Sequence, residues 1–446
     1  MTLALGLLLA AAWGGELTLD DVLAVTDDRV PVLSEALFKQ RAAEGKAMAS
    51  RGAFDPKLVG KGKATSDDPY DRALLEGYLS ARTPVGAELE GGWRYGGGGF
   101  PSYDGAYTGT QGELFVGAEV DVLDGLLYGE ERVVRDVADA MLLAATADLD
   151  LKRIQARRKA TEAYWKWVAA GRALAVEESI LQLAEQRAGM LRRQEEEGSR
   201  PRFDVLDNER VLFERQEAVI ANQQKLQVAG VELSLWWRDE RGDPQLPTRD
   251  QQPESWPALP EGGVLQDDLE RALGRPDIAA VQAIRAAADA ERKRAGNGRL
   301  PDLTVGGEVN RDLETQKTEL IGQIELGSSL LLRKERGAYD AAAAEVMRVE
   351  ARLRGTRDRV RADVLAAHAV RDTAMQRVEA ARGAAERAGQ VVQMARRRME
   401  LGSTDLFQLL QREDKLEKSR KNLVEAELQL RLAEAAVQAA VGVAGP

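Results

Sequence analysis

Residues 198–209 read GSRPRFDVLDNE and residues 402–413 read GSTDLFQLLQRE, so one motif occurs twice in the chain. The copies are 204 residues apart, and the same offset aligns the segments that follow them, as at Leu212 and Leu416. The chain is therefore a tandem duplication of one long unit. Because repeated units bury their apolar surface against neighbouring units, the duplication predicts assembly.

The composition excludes several classes of function. The 446-residue chain has no cysteine and one histidine, His368, which lies among alanines and is expected to be a packing or surface residue. We therefore predict no catalytic site, no cofactor and no metal site, and we do not expect an enzyme. Charged residues make up 30% of the chain with a net charge of −11, but they are interspersed, so no basic patch for nucleic acid is present.

The N-terminus carries a short apolar run. Residues 1–15 are rich in leucine and alanine and end in Gly14-Gly15, which predicts a signal peptide, with a buried N-terminal helix as the alternative. No other window reaches the ~18 consecutive apolar residues of a transmembrane helix. If the chain enters a membrane, it has to do so as strands.

The distribution of proline predicts very long helices. Proline is absent from residues 102–200 and 302–445. A helix of ~70 residues is on the order of 100 Å long, and its heptad spacing of apolar residues indicates coiled-coil packing. We predict long helical hairpins at about residues 127–237 and 331–441.

Alternating patterns predict strands ahead of each hairpin, at about residues 57–120 and 303–326. The odd-numbered residues from Leu79 to Tyr95 form one apolar face of what we interpret as a single strand, opposite a charged face. Trp93 and Tyr95 end this row, as residues of a membrane girdle would. A soluble sheet with one face on a core is the alternative. The glycine-rich insert that follows predicts an exposed loop or a longer first hairpin.

The predicted order defines the domains. A first structural repeat covers residues 16–237, a proline-rich linker covers residues 238–263, and a second repeat covers residues 264–446. Four strands per chain fall short of the ~8 that close the smallest bacterial barrels, and open sheet edges are costly in lipid. Three chains would close a barrel. The predicted fold class is mainly α with a β-barrel segment, built from two tandem coiled-coil hairpins and amphipathic strands into a trimeric tunnel.

The order of helix, proline joint, helix, strands, long helix, glycine tip and returning helix, repeated once, resembles the TolC family of outer membrane efflux and secretion channels. The resemblance is carried by Arg275-Pro276-Asp277, Leu300-Pro301-Asp302-Leu303, Val122-Leu123-Asp124-Gly125 and Gly402-Ser403-Thr404-Asp405-Leu406. It implies a homotrimer in the cell outer membrane that contacts lipid through its strands and extends into the periplasm. It also implies a channel for efflux or type I secretion that works with a periplasmic adaptor protein and an inner membrane transporter.

The resemblance also suggests site residues. Family members commonly place acidic residues six and nine positions after the second tip glycine. Here those positions are Gln408 and Gln411, whereas the first copy has Asp204 and Asp207. These four residues are pore entrance candidates, although the two aspartates also fit an ordinary helix start, where carboxylates are favoured. We do not carry over the family's gating bonds.

The glycine tips are candidates for adaptor contact, namely Gly198, Ser199, Gly402, Ser403 and Thr404. Both glycines also fit as simple helix terminators. Two other classes of function stay open. A periplasmic adaptor would show one hairpin within a lipoyl-like β module, and a soluble coiled-coil scaffold would lack amphipathic strands. The sequence does not identify the transported substrate.

Overall fold

The computed structural model describes residues 15–67, 70–98, 108–123, 128–259, 262–400 and 406–442. The predicted tip residues Gly402, Ser403 and Thr404, and all but the last residue of the predicted signal peptide, lie outside these ranges. The chain is mostly helical and contains one antiparallel sheet. This architecture confirms the predicted fold class of long helices combined with a strand segment.

The helices occur in the same order in both repeats. In chain order they are α1 Leu19–Arg29, α2 Pro31–Arg51, α3 Glu130–Glu196, α4 Arg202–Ser234, α5 Leu265–Ala272, α6 Pro276–Asn297, α7 Arg333–Glu400 and α8 Leu406–Val441. Helices α3 and α7 contain 67 and 68 residues. Among the described residues, no helix is both long and apolar enough to cross a membrane.

Local chemistry fixes the helix starts. The Thr18 hydroxyl accepts the N–H of Asp21 at 3.2 Å while the Asp21 carboxylate accepts the N–H of Thr18 at 3.1 Å, which forms a capping box before α1. Pro31 and Pro276 are the first residues of α2 and α6, where proline costs no hydrogen bond.

In the part of the chain that the structure describes, the sheet has six strands in the order β1-β2-β3-β4-β5-β6, each antiparallel to the next. Their bounds are β1 Lys57–Asp67, β2 Tyr70–Arg82, β3 Ala87–Gly98, β4 Glu113–Asp121, β5 Asp302–Asp312 and β6 Thr318–Gly327. The repeats meet where β4 pairs with β5. The expectation of four strands per chain is therefore wrong, because the first repeat alone supplies four.

The missed strand boundary is a tight turn between β2 and β3. The Thr83 backbone N–H donates to Ala87 O at 2.7 Å across the turn, and the Thr83 hydroxyl accepts the Ala87 N–H at 3.1 Å. Gly86 has φ +75°, a conformation that glycine adopts without strain. The row from Leu79 to Tyr95 is thus two paired strands rather than one.

The chain divides into two compact units, and each contains residues of both repeats. The first, which we call the helical unit, comprises Met1–Ala36, Leu149–Pro276 and Arg357–Pro446. The second, the strand unit, comprises Leu37–Asp148 and Asp277–Thr356 and contains the whole sheet. The compact units of the structure therefore do not coincide with the two sequence repeats.

The core of the helical unit is aromatic. Trp167 and Trp237 are buried together with Tyr164, whose hydroxyl donates to the backbone oxygen of Leu17 at 2.9 Å. Burial raises the pKa of Tyr164. The proline-rich segment packs on this core, since the Gln252 side-chain amide donates to Trp167 O at 2.8 Å.

Candidate functional site in the sheet and at the helical tips

One face of the sheet is apolar across all six strands. The register places the following residues on this face: Leu58, Leu75, Leu79, Leu89, Trp93, Leu114, Val116, Val305, Val309, Leu320, Ile324 and Leu326. They do not pack into a core, and Leu58, Leu320 and Ile324 are 82%, 80% and 76% exposed. A contiguous exposed apolar surface of this kind marks a contact with lipid or with another protein.

The opposite face is polar and held by ion pairs. The Arg94 guanidinium pairs with Glu113 and Glu308 on β4 and β5, and it lies 4.8 Å above the ring of Phe115. Arg82 pairs with Glu88 at 2.6 Å across the β2–β3 turn. Glutamates dominate this face from β3 to β6, namely Glu88, Glu90, Glu113, Glu119, Glu308, Glu319 and Glu325. The sheet thus separates an apolar surface from a charged one.

The predicted girdle residues lie next to each other on the apolar face. The rings of Trp93 and Tyr95 are stacked, with centroids 6.4 Å apart and planes 9° apart. The indole N–H of Trp93 donates to Gln111 O at 3.0 Å, so its polar atom is satisfied while its ring stays partly exposed. This amphipathic placement is what tyrosine and tryptophan adopt at membrane interfaces.

The two edge strands of the sheet differ in charge. Strands β1 and β6 each pair with one neighbour only among the described residues. On the polar face, β1 carries Lys57, Lys61 and Lys63, whereas β6 carries Glu319 and Glu325. The edges therefore have opposite charge.

The tip of the first hairpin is a glycine-terminated turn. Gly198 has φ +72° and donates its N–H to Glu195 O at 2.9 Å, while the Ser199 N–H and hydroxyl both donate to Gln194 O. These bonds satisfy the last carbonyls of α3, and Pro201 precedes α4. The interpretation of Gly198 as a helix terminator is confirmed.

The pore entrance candidates lie at the starts of α4 and α8. Asp204 pairs with Arg200 at 3.2 Å and Asp207 pairs with Arg210 at 3.0 Å. Gln408 and Gln411 are exposed. Both aspartates thus form ion pairs with arginines close to them in the chain. This arrangement fits the interpretation as ordinary helix-start residues as well as the interpretation as pore entrance residues.

An apolar cluster brings the two hairpins together near these residues. It contains Leu191, Val205, Met399, Leu406 and Leu409, one or more from each of the four long helices. Because Val205 and Leu409 follow Asp204 and Gln408 in sequence, the equivalent candidates of the two repeats occupy neighbouring helix starts.

A buried charge network also joins the four helices. Arg187 of α3 pairs with Glu413 of α8 and donates to the Asn208 side-chain oxygen of α4 at 2.5 Å. Arg396 of α7 pairs with the same Glu413 at 3.1 Å. Arg187 and Glu413 are both buried, and burial lowers the pKa of Arg187. The sequence analysis did not identify this network, because its members are far apart in the chain.

Two exposed phenylalanines at the tips were also missed. Phe203 and Phe407 occupy equivalent positions in the two repeats and are 75% and 72% exposed. The duplicated motif aligns the two residues, but the motif alone does not show which of its apolar residues are exposed. His368 packs, as expected, with its Nε2 2.9 Å from the Asp268 carboxylate.

The fold is that of outer membrane channels. The chain aligns with the outer membrane channel OprN at TM-score 0.71 and 17% identity, over 95% of this chain and 89% of OprN. It aligns with the outer membrane protein VceC of Vibrio cholerae at TM-score 0.67 and 16% identity, over 95% of this chain and 96% of VceC. The MtrE outer membrane channel of Neisseria gonorrhoeae gives TM-score 0.67 and 16% identity, over 95% and 88% of the two chains.

A comparison with family models matches part of the sequence. Residues 269–443 match the family model described as outer membrane efflux protein. The predicted resemblance to TolC-like outer membrane channels is confirmed. No curated protein matches the chain.

Proposed function

We propose that this protein is the subunit of an outer membrane channel that forms a tunnel across the periplasm for efflux or type I secretion. The observation that carries the proposal is the sheet, which has an exposed apolar face and an opposite face that carries charged side chains. Lipid on one side and water on the other satisfy both faces. The alternatives are weaker, since a soluble scaffold gains nothing from an exposed apolar sheet and an adaptor has one hairpin rather than two.

Closure of the sheet requires further copies of the chain. Backbone groups at an open edge have no partner in lipid, and each unsatisfied group costs several kcal/mol. The lysines of β1 match the glutamates of β6 in charge, so the last strand of one copy can pair with the first strand of the next. Three copies of the six-stranded sheet give eighteen strands, and barrels of about 16–18 strands enclose an aqueous channel. A homotrimer is the proposed assembly.

The helical tips are the proposed contact for a periplasmic adaptor and, through it, an inner membrane transporter. Phe203 and Phe407 expose large rings, and in sequence they follow the tip candidates Gly198, Ser199, Gly402, Ser403 and Thr404. Exposed aromatic residues are typical anchors of protein interfaces. Asp204, Asp207, Gln408 and Gln411 stay proposed as entrance residues, and Trp93 and Tyr95 as girdle residues.

Cysteine cross-linking tests the closure, because the chain has no cysteine of its own. A Lys61→Cys and Glu319→Cys double variant in the outer membrane fraction is treated with a short bifunctional maleimide. We expect covalent dimers and trimers. The matched control is Glu76→Cys with Glu319→Cys, because Glu76 lies on the same face one strand inward and is expected to stay uncrosslinked.

Conductance tests the channel itself. The purified oligomer in a planar lipid bilayer is expected to conduct ions. A chain that fractionates as a water-soluble monomer, without cross-links between copies and without conductance, would contradict the proposed function.

A further inference from the structure

A guanidinium in the helical unit is buried, and no salt bridge to it is formed among the described residues. Arg431 of α8 is 6% exposed, and its guanidinium contacts the indole rings of Trp165 and Trp256, 5.1 and 4.2 Å from their centroids. Its terminal nitrogens donate to the backbone oxygens of Glu427 and Pro257 at 3.2 and 2.9 Å, and its Nε has no acceptor among the described residues. Burial lowers the pKa of Arg431. A buried cation that lacks a carboxylate is costly, so an anion here would be strongly favoured.

A cavity of about 520 Å³ borders this arginine. Its apolar wall is formed by Leu17, Leu19, Leu23, Ile154, Leu259 and Trp165. Pockets of about 300–1,000 Å³ with apolar walls and few polar groups are typical of small-molecule sites. The cavity therefore has room for an alkyl chain next to the Arg431 cation.

The other charged groups that line the cavity have partners or favour neutrality. Arg157 lies 3.5 Å from Asp27, Arg158 pairs with Glu162 at 2.8 Å, and Glu16 accepts the N–H of Glu254 at 3.0 Å. Burial raises the pKa of Glu434, which favours its uncharged form. Asp20 lies in the first turn of α1, where the helix dipole stabilises a carboxylate. Arg431 is thus the lining cation that forms no salt bridge with the described residues.

We propose that this cavity binds an amphiphilic anion, with its carboxylate or phosphate group against Arg431 and its alkyl chain along the leucine wall. The rings of Trp165 and Trp256 hold the guanidinium in place, so its remaining N–H groups are oriented before the anion arrives. Such preorganised, charge-assisted hydrogen bonds are stronger than neutral ones. Binding of the anion at this site does not depend on the proposed transport function.

Calorimetric titration of the full chain in a neutral detergent tests the site, with dodecanoate as the probe. Dodecanol supplies the chain without the charge, and acetate supplies the charge without the chain. We expect dodecanoate to bind the wild-type protein more tightly than either. Arg431→Gln is expected to weaken dodecanoate binding by about tenfold or more, since a hydrogen bond to a charged group is lost, and to leave dodecanol binding unchanged. Arg158→Gln, which changes a lining arginine that already has a carboxylate partner, is the matched control and should bind as wild type does.

A second variant separates binding from folding. Ala439→Phe fills the cavity from its wall without changing Arg431 and is expected to abolish binding of dodecanoate. Equal affinity of the wild-type protein for dodecanoate and dodecanol would overturn the proposal, and so would full binding by a folded Arg431→Gln variant. The comparison of dodecanoate, dodecanol and acetate on the wild-type chain tests the proposed site even where a variant does not fold.

Discussion

At the scale of single residues, the ion pair of Arg187 and Glu413 is expected to contribute strongly to the stability of the hairpins. Both side chains are buried, so Glu413→Gln leaves a guanidinium without its carboxylate. Removal of one partner of a buried pair costs about 3 kcal/mol or more. We expect a lower midpoint of thermal unfolding, followed by far-ultraviolet circular dichroism. Glu345→Gln, which removes an exposed helix-surface pair with Arg348, is the control and should leave the midpoint unchanged.

Glu434 predicts a pH dependence of stability. Burial raises its pKa above the ordinary value of 4.5, while Arg371 and His368 oppose the shift and Asp268 adds to it. A raised carboxyl pKa in the folded state means that stability is present at low pH and lost as the pH rises through that pKa. Glu434→Gln should therefore raise the unfolding midpoint relative to wild type at pH 8 but not at pH 4. An equal difference at both pH values would contradict this assignment.

At the scale of elements, two glycines of the first hairpin predict opposite effects of the same substitution. Gly198 has φ +72° at the tip, and Gly189 lies inside helix α3; a Cβ would meet no other group at either position. Gly198→Ala should cost about 1 kcal/mol through backbone strain, whereas Gly189→Ala should gain about 0.5–1 kcal/mol of helix stability. Chemical denaturation of the two variants measures both. Equal shifts would show that the tip turn does not require its left-handed glycine.

Adjacent residues of strand β6 provide a test of the two faces. Ile324 lies on the apolar face and Gln323 on the polar one. If the apolar face contacts lipid, Ile324→Lys should cost about 2–4 kcal/mol near the membrane midplane, and Gln323→Lys should cost little. The yield of folded oligomer in the outer membrane fraction compares them. Similar yields would argue against a lipid-facing sheet.

The sequence predicted the helices well and the strands less well, and the reason is geometric. The long helices follow from proline-free heptad patterns, which are compatible with few structures other than a long helix. The sequence analysis interpreted strands β2 and β3 as one strand because residues that pair across the turn, such as Ala81 and Leu89, are either both odd-numbered or both even-numbered. Odd residues therefore stay on one face through the turn, and the alternation continues unbroken past Pro84.

The site was predicted only in part, for a similar reason. Trp93 and the tip glycine Gly198 could be identified from local pattern. The pairing of Arg187 with Glu413, which are 226 residues apart, depends on how the two hairpins pack. No local pattern encodes such a contact.

At the scale of the whole molecule, the opposite charges of the two sheet edges predict how copies recognise each other. Lys61→Glu with Lys63→Glu places like charges against Glu319 and Glu325 of a neighbour, so we expect a marked loss of trimer on native gels. Reversal of the partner edge in the same chain, with Glu319→Lys and Glu325→Lys, should restore it. Failure of the second pair to restore assembly would contradict β1–β6 recognition.

The pairing of β4 with β5 joins parts of the sheet that are far apart in the chain. Asp121 and Thr304 form a side-chain hydrogen bond across this junction although they are 183 residues apart. In a chain that emerges from its N-terminus, the first four strands appear while the edge of β4 that pairs with β5 is still uncovered. Such edges invite aggregation, so we expect the first half to need protection until the second half of the polypeptide arrives. A secreted fragment that stops within the proline-rich segment should consequently be degraded or precipitate.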